Sequence, residues 1–198
     1  CSAMKSITLG SGLQTIGDQG IYKTGIKVIN SLSTVPPALG QFALEYNYIS
    51  IVYVPSSSVS LYKSVAGWQS LPISTDELVS VNNATAGALA ATLTTSGYQL
   101  SSISKLKISG NLNSADFEQI KNNMPLIMEL DFTDASIQGN SIPANAFYGK
   151  NILTKVKLPS TIENIGDNAF SSCSNLADIL PLPSSLKTIG SSSFANCY

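Results

Sequence analysis

Histidine and arginine are both absent from the 198 residues, and only 12% of the residues are charged. Without histidine the chain lacks the commonest general base and the commonest metal ligand. Without arginine it lacks the planar donor that reads phosphates and base edges two bonds at a time. Nucleic acid is therefore not an expected partner, and nothing in the sequence points to a cofactor. All 11 basic residues are lysine, set against 12 acids for a net charge of −1. No run of about 18 apolar residues exists to span a bilayer, so direct membrane insertion of this segment is not expected. With charges so few, surface polarity rests on hydroxyls and amides, a composition associated with secreted repeat proteins. What the chain does have is apolar content: 43% hydrophobic residues support a real core in one domain or two small ones.

The apolar residues recur with a period. Leu153, Val156, Leu158, Ile162, Ile165, Ala169 and Phe170 are followed by Leu176, Ile179, Leu182, Leu186, Ile189, Ser193 and Phe194. Both copies carry L-P-S before the second apolar pair, I-G after it, then a small residue and Phe, with Cys173 and Cys197 three further on. One extra residue in Ile179-Leu180-Pro181-Leu182 stretches the second copy. A period of 23 to 24 residues lies in the leucine-rich-repeat range, where one coil cannot bury its apolar side alone and neighbours must stack. The expected fold is an α/β repeat solenoid, a β-rich leucine-rich-repeat superhelix with short parallel strands and helical capping segments.

The ladder begins at once. Met4, Ile7 and Leu9 take the places of Leu153, Val156 and Leu158, and Ile16-Gly17-Asp18 matches Ile165-Gly166-Asp167. Ile26 and Ile29 open a second coil; Ile49, Val52 and Val54 open a third. After Pro55 the period changes. Ser57 or Ser58 is placed to cap a short helix with Val59, Tyr62 and Val65 on one face, Gly67 to end it, and Trp68 to fold back over the last coil. Residues 1–70 thus read as the C-terminal coils and cap of one array, and 71–77 as a junction rich in Pro and small polar residues.

Residues 78–198 read as the N-terminal cap and first coils of a second array. A strand at Leu78–Val81 leads to a helix ending near Thr94, and the ladder resumes at Ile103, Leu106 and Ile108. A helix capped near Asn113 or Ser114 buries Phe117, Ile120 and Met124 and stops at Pro125. Ile127, Leu130 and Phe132 form the next strand. Cys1-Ser2-Ala3-Met4 matches Cys173-Ser174-Asn175-Leu176, which places Cys1 at the end of a preceding coil; the chain is expected to be a piece of a longer protein.

Three stretches carry a resemblance. Leu158–Cys173 resembles the repeat of the BspA-like leucine-rich repeat proteins of bacterial cell surfaces, particularly those of the Bacteroides group. Val52–Trp68 resembles the unit that often closes such an array. Thr85–Leu93 with Leu106–Phe117 resembles the unit that often opens one. The closing unit here precedes the opening one, hence two arrays in tandem. The resemblance implies an exported surface protein, outer-membrane-attached or extracellular; the chain is expected to be monomeric and, with no histidine, no arginine and its carboxylates spread along the sequence, non-catalytic. Its partners would be host matrix proteins, bacterial surface proteins or glycans.

Several constellations compete for a role. Cys173 and Cys197 occupy equivalent places on adjacent coils, near enough for a disulfide, and equally suited to a free buried ladder. Glu129 and Asp131 share the outward side of one strand, with Asp134 nearby. Paired carboxylates suit glycoside chemistry or Ca²⁺, and a solvated strand face shows the same alternation. Lys105 and Lys107, then Lys155 and Lys157, alternate on strands in matching positions; such a mixed-charge stripe either attracts a partner or discourages edge pairing. Tyr46 and Tyr48 sit near the end of the first array, where exposed aromatics suit a protein hot spot or a carbohydrate platform. Asn83-Ala84-Thr85 matches a glycosylation sequon and is read as coincidence. A purely structural spacer is the alternative to all binding roles, and an accessory region of a carbohydrate-active enzyme is a remote one.

Overall fold

The computed structural model describes residues 4–179 and 181–197, so Cys1 and Leu180 lie outside the described residues. The chain divides into two compact units, Cys1–Glu77 and Leu78–Tyr198. The first runs β1 (Ser6–Leu9), β2 (Thr15–Ile16), β3 (Val28–Ser31), β4 (Ala38–Leu39), β5 (Ile51–Tyr53), α1 (Val59–Ser64) and β6 (Ile73–Ser74). β1, β3, β5 and β6 form one parallel sheet, and β2 with β4 a second. The register sets Ile7, Ile29, Val52 and Ile73 in one row. Three of these, Ile29, Val52 and Ile73, are fully buried. Each strand is too short to hold an apolar face on its own, so it is the stacking of equivalent residues that makes the core.

Two expectations for this unit are corrected. Ser58 stands before α1, but its side chain makes no capping bond. The chain instead enters through a 3-10 turn at Ser56–Ser58, where Ser58 N already donates to Pro55 O at 2.8 Å. Residues 71–77 are also more than a junction, because β6 extends the sheet beyond α1. Val52 N donates to Pro72 O and Val54 N to Ser74 O, both at 2.9 Å. A two-residue strand inside a Pro- and Ser-containing stretch gives almost no periodic signal, and the fully buried Ile73 is its one apolar anchor.

Between β5 and β6 the buried aromatics close the core. Tyr62 and Trp68 meet edge to face at 5.2 Å. Tyr62 shares a 2.7 Å hydrogen bond with Ser31 and donates to Ser33 O, and Trp68 Nε1 donates to Pro37 O at 2.8 Å. Each polar atom carried inside thus finds a partner, as burial requires.

The second unit runs β7 (Leu78–Asn83), α2 (Leu89–Thr95), β8 (Lys105–Leu112), α3 (Ser114–Asn123), β9 (Glu129–Asp131), β10 (Ala135–Ile137), β11 (Ser141–Ile142), β12 (Lys155–Lys157), β13 (Asn164–Ile165) and β14 (Thr188–Ile189). β7, β8, β9 and β12 stack in parallel, with Val79, Leu106, Leu130 and Val156 in register. β10 pairs with the far half of β8, and β11, β13 and β14 make a second sheet through Ile142, Ile165 and Ile189. A column of phenylalanines runs through this core. Phe147, Phe170 and Phe194 stack at 5.0 and 5.2 Å, and Phe132 and Phe117 continue the column.

α2 begins at Leu89, later than the alanine-rich sequence suggests. Gly87 holds φ +88°, outside the helical region, and the Asp116 carboxylate takes Gly87 N at 2.7 Å and Leu89 N at 2.9 Å. The same carboxylate closes the capping box of α3 by accepting from Asn113 N, while Asn113 accepts from Ala115 N. One fully buried acid therefore fixes the start of two helices.

The I-G signature also has a packing cause. A Cβ on Gly166 would lie 2.5 Å from Ala144 N of the previous repeat, and one on Gly190 would lie 2.6 Å from Asp167 N; Gly40, after Leu39, meets Asp18 N in the same way. Glycine is required there because successive backbones touch.

Candidate functional site

The charged stripe forms on the outward side of β8, β9 and β12. Register brings Lys105, Glu129 and Lys155 into one row and Lys107, Asp131 and Lys157 into another; an isolated bridge adds Asp178 beside Lys155. Every one of these lysines faces an acid: Lys105–Glu129 at 4.0 Å, Lys107–Asp134 at 2.8 Å, Lys155–Asp178 at 2.5 Å and Lys157–Asp131 at 3.1 Å. The hydrogen bonds to Asp134 and Asp178 hold the Lys107 and Lys155 ammonium groups above the usual lysine range. Burial alone would raise the Asp131 carboxyl, but bonds from Thr133 and the Lys157 pair outweigh it and hold it below the usual carboxylate range. Glu129, Asp131 and Asp134 thus do not converge on a common point. Their partners are lysines of neighbouring strands, and the stripe neutralises itself.

The turns between strands carry a further hydrogen-bonded ladder. Gln19, Ile21 and Lys23 donate their amides to Gln41, Ala43 and Glu45 of the next repeat, as Asn145, Phe147 and Gly149 do to Asp167, Ala169 and Ser171. The first and fifth residues of each turn adopt positive φ. In the second unit these are Asn145 and Gly149, Asn168 and Ser172, Ser192 and Asn196. In the first unit they are Gln19 and Lys23, then Phe42 and Tyr46 at φ +57° each. Left-handed backbone costs an ordinary L-residue about 1–2 kcal/mol and is easiest for glycine and asparagine. Bulky aromatic rings in that conformation are exceptional, and such strain concentrates at functional sites.

These rings are also outside. Phe42 is 44% exposed, Tyr46 67% and Tyr48 90%. Tyr46 meets Tyr22 edge to face at 5.3 Å. Lys23 Nζ lies 5.2 Å from the Tyr22 ring and 4.9 Å from that of Tyr46, within reach of the ring quadrupoles. Tyr46 and Tyr48 were legible as candidates in the sequence; Tyr22, Lys23 and Phe42 were not. The signal that finds Phe42 is its alignment with Asn145, Asn168 and Ser192.

On the inner side of the turn, side chains reach back one repeat to cover open carbonyls. Lys150 Nζ donates to Met124 O at 2.7 Å, Cys173 Sγ to Phe147 O and Cys197 Sγ to Phe170 O at 3.1 Å each, and Asn47 Nδ2 to Ile21 O. Cys173 and Cys197 are free thiols, so of the two readings left open by their spacing the ladder stands. Burial and the neighbouring Cys197 push the Cys173 thiol up to about 12. Burial pushes Lys150 down to about 8. Lys150 escaped notice in the sequence although it sits in the cysteine column. The Asn83 sequon is closed: Asn83 is fully buried, and its amide donates to Asn111 O and accepts from Thr92 Oγ1.

Among the described residues no three His, Cys, Asp or Glu side chains gather to hold a metal ion, and no helix is long and apolar enough to cross a membrane. Repeats with parallel strands, buried Leu and Ile rows and a glycine at each close contact define a leucine-rich-repeat protein. The family described as the BspA type leucine rich repeat region matches residues 1–67 and 140–198 with 6 copies, and the chain belongs to that family. No curated protein matches the chain.

Proposed function

We propose that this chain is a non-catalytic binding segment of an exported bacterial surface protein, meeting host matrix proteins, bacterial surface proteins or glycans through the outer turn face of its first unit. Each unit forms a short solenoid, the first closing one array and the second opening another, and the protein is monomeric. The observation that carries this reading is the exposure of Phe42, Tyr46 and Tyr48, with two of the three held in left-handed backbone. Aromatic side chains bring large contact area at low entropy cost and dominate binding hot spots.

The charged stripe does not serve as the docking face, since its lysines and acids already pair across strands. In the second unit the left-handed turn positions are Asn, Gly and Ser, and Tyr148 is the one large aromatic exposed among its described residues, which favours a spacing role for that part. Biolayer interferometry of the protein against a panel of matrix proteins and glycans, in a salt series, tests the proposal. The expected result is saturable binding that Tyr46→Asn weakens and Lys107→Glu leaves in place. Silence across the panel from a folded monomer would transfer the spacer reading to the whole segment.

A further inference from the structure

The face around Tyr46 carries a charge pattern that selects among those partners. Lys5, Lys27 and Lys23 are exposed. Lys27 N donates to Lys5 O at 2.9 Å, so the first two lysines stand side by side on adjacent repeats. The segment from Tyr46 to Ser50 runs alongside: Tyr46, Tyr48 and Ser50 are the exposed residues of an alternating stretch, and Ser50 N donates to Lys27 O at 2.7 Å. Lys23 is held between the Tyr22 and Tyr46 rings. Between Lys23 and Ser50 the sequence holds one carboxylate, Glu45; the Asp18 carboxylate is turned to Gln41 N at 2.7 Å.

This contrasts with the second unit, where acids answer the stripe's lysines across strands. Here Lys23 lies over the exposed Tyr46 ring, and the backbones of Lys5 and Lys27 lie on the repeats next to the Tyr46–Ser50 segment. Rings offer flat apolar surface to the C–H face of a sugar, and ammonium groups beside them offer point charges to an anion. Without arginine there is no fork for bidentate phosphate recognition. Lysine point charges spaced along adjacent repeats, beside aromatic faces, suit a chain of repeating sugar rings that each carry a carboxylate.

We propose that the face formed by Lys5, Lys23, Lys27, Tyr46 and Tyr48 binds a carboxylated polysaccharide, a polyuronate-type chain. This rests on the reading above that the outer face of the first unit is a binding face. The sugar rings stack on Tyr46 and Tyr48 while the carboxylates pair with Lys5, Lys23 and Lys27. Lys23, already fixed over two rings, needs little further ordering on binding.

The test is calorimetric titration of the whole chain with oligogalacturonate and with the same oligosaccharide as its methyl ester, at low and high salt. The acid form is expected to bind and to weaken as salt rises. The ester should bind at least about tenfold more weakly, and Lys23→Gln and Tyr46→Asn should each cost the acid form about tenfold. Lys187→Gln, on a Lys187–Glu163 pair of the second unit, is the control expected to change nothing, with thermal melts confirming that each variant folds. Equal binding of acid and ester would overturn the charge-selective proposal while leaving a neutral-glycan face standing. Failure of both glycans, with Tyr46→Asn still abolishing capture of a matrix protein, would overturn it in favour of a protein partner. If Tyr46→Asn altered no interaction at all, the underlying binding face would fall too.

Discussion

Where the second unit stacks Phe147, Phe170 and Phe194 inside its turns, the first unit carries Ile21 and Leu44 at the aligned positions. Where the second places Asn145, Asn168 and Ser192 at the first left-handed position, the first places Gln19 and Phe42. One backbone turn, with the same amide ladder, therefore serves two arrangements: phenylalanines inside with Tyr148 outside in the second unit, and Phe42 and Tyr46 outside at left-handed positions in the first. Rings inside contribute burial and ring stacking, and their presence is explained by stability. Rings outside, in a conformation that disfavours them, are not. The comparison separates residues that build the repeat from residues the repeat displays.

Removing an inner ring should produce the largest effect and keep it local. Phe170→Ala is expected to cost the second unit about 3–5 kcal/mol, read by amide hydrogen exchange as lost protection across β12 to β14. Protection of β3 and β5 should hold; loss there as well would mean that the two units do not unfold separately.

The buried column of the second unit should also respond to pH, through two groups whose shifts are large. Lys150 has its pKa lowered from 10.5 to about 8. The unfolded chain therefore binds more protons between those values, and stability rises with pH above about 8. Cys173 is raised from 9.0 to about 12, so the unfolded chain releases its proton first and stability falls above about 9. The two slopes oppose each other between 9 and 10.5. Denaturant melts should thus show stability climbing from pH 8 to 9, levelling, and then declining. Lys150→Met should flatten the climb and Cys173→Ala should reduce the decline, to which the raised Cys197 thiol also contributes.

The smallest effect comes from exchanging outer residues between units. Asn168→Phe should cost about 1 kcal/mol of backbone strain, and Phe42→Asn should leave stability unchanged or raise it by up to about 1 kcal/mol. A marked loss of stability in Phe42→Asn would show that Phe42 belongs to the packing and would undo the distinction drawn here.

Much of the repeat was legible because its rows are apolar and periodic: Ile29, Val52, Leu106, Leu130 and Val156 could be set in register from spacing alone. The capping of α3 was legible too, since Asn113 and Asp116 stand at the right separation. What escaped was whatever depends on a neighbour outside the local window. β6 is two residues long, and its place is given by hydrogen bonds to β5. The late start of α2 follows from an acid 27 residues beyond Leu89. The charged stripe was located correctly as a row of residues, but spacing along one strand does not say that each lysine meets an acid on another. At the candidate face, Tyr46 and Tyr48 drew attention as unburied aromatics, whereas the oddity of Phe42 emerges only when its backbone conformation is compared across repeats.

The bonds from Lys150, Cys173, Cys197 and Asn47 each reach a carbonyl in the adjacent repeat, and Asp18 and Asp167 in turn accept the amides of Gln41 and Ser191 one repeat further on. Each repeat thus completes its neighbour and asks the same of the next. A gene segment of one period, copied in frame at any point, would restore each of these partners in the lengthened product. Length is then open to change by simple duplication, with no new contact to be invented, while the residues shown on the outer turn remain free to diverge copy by copy.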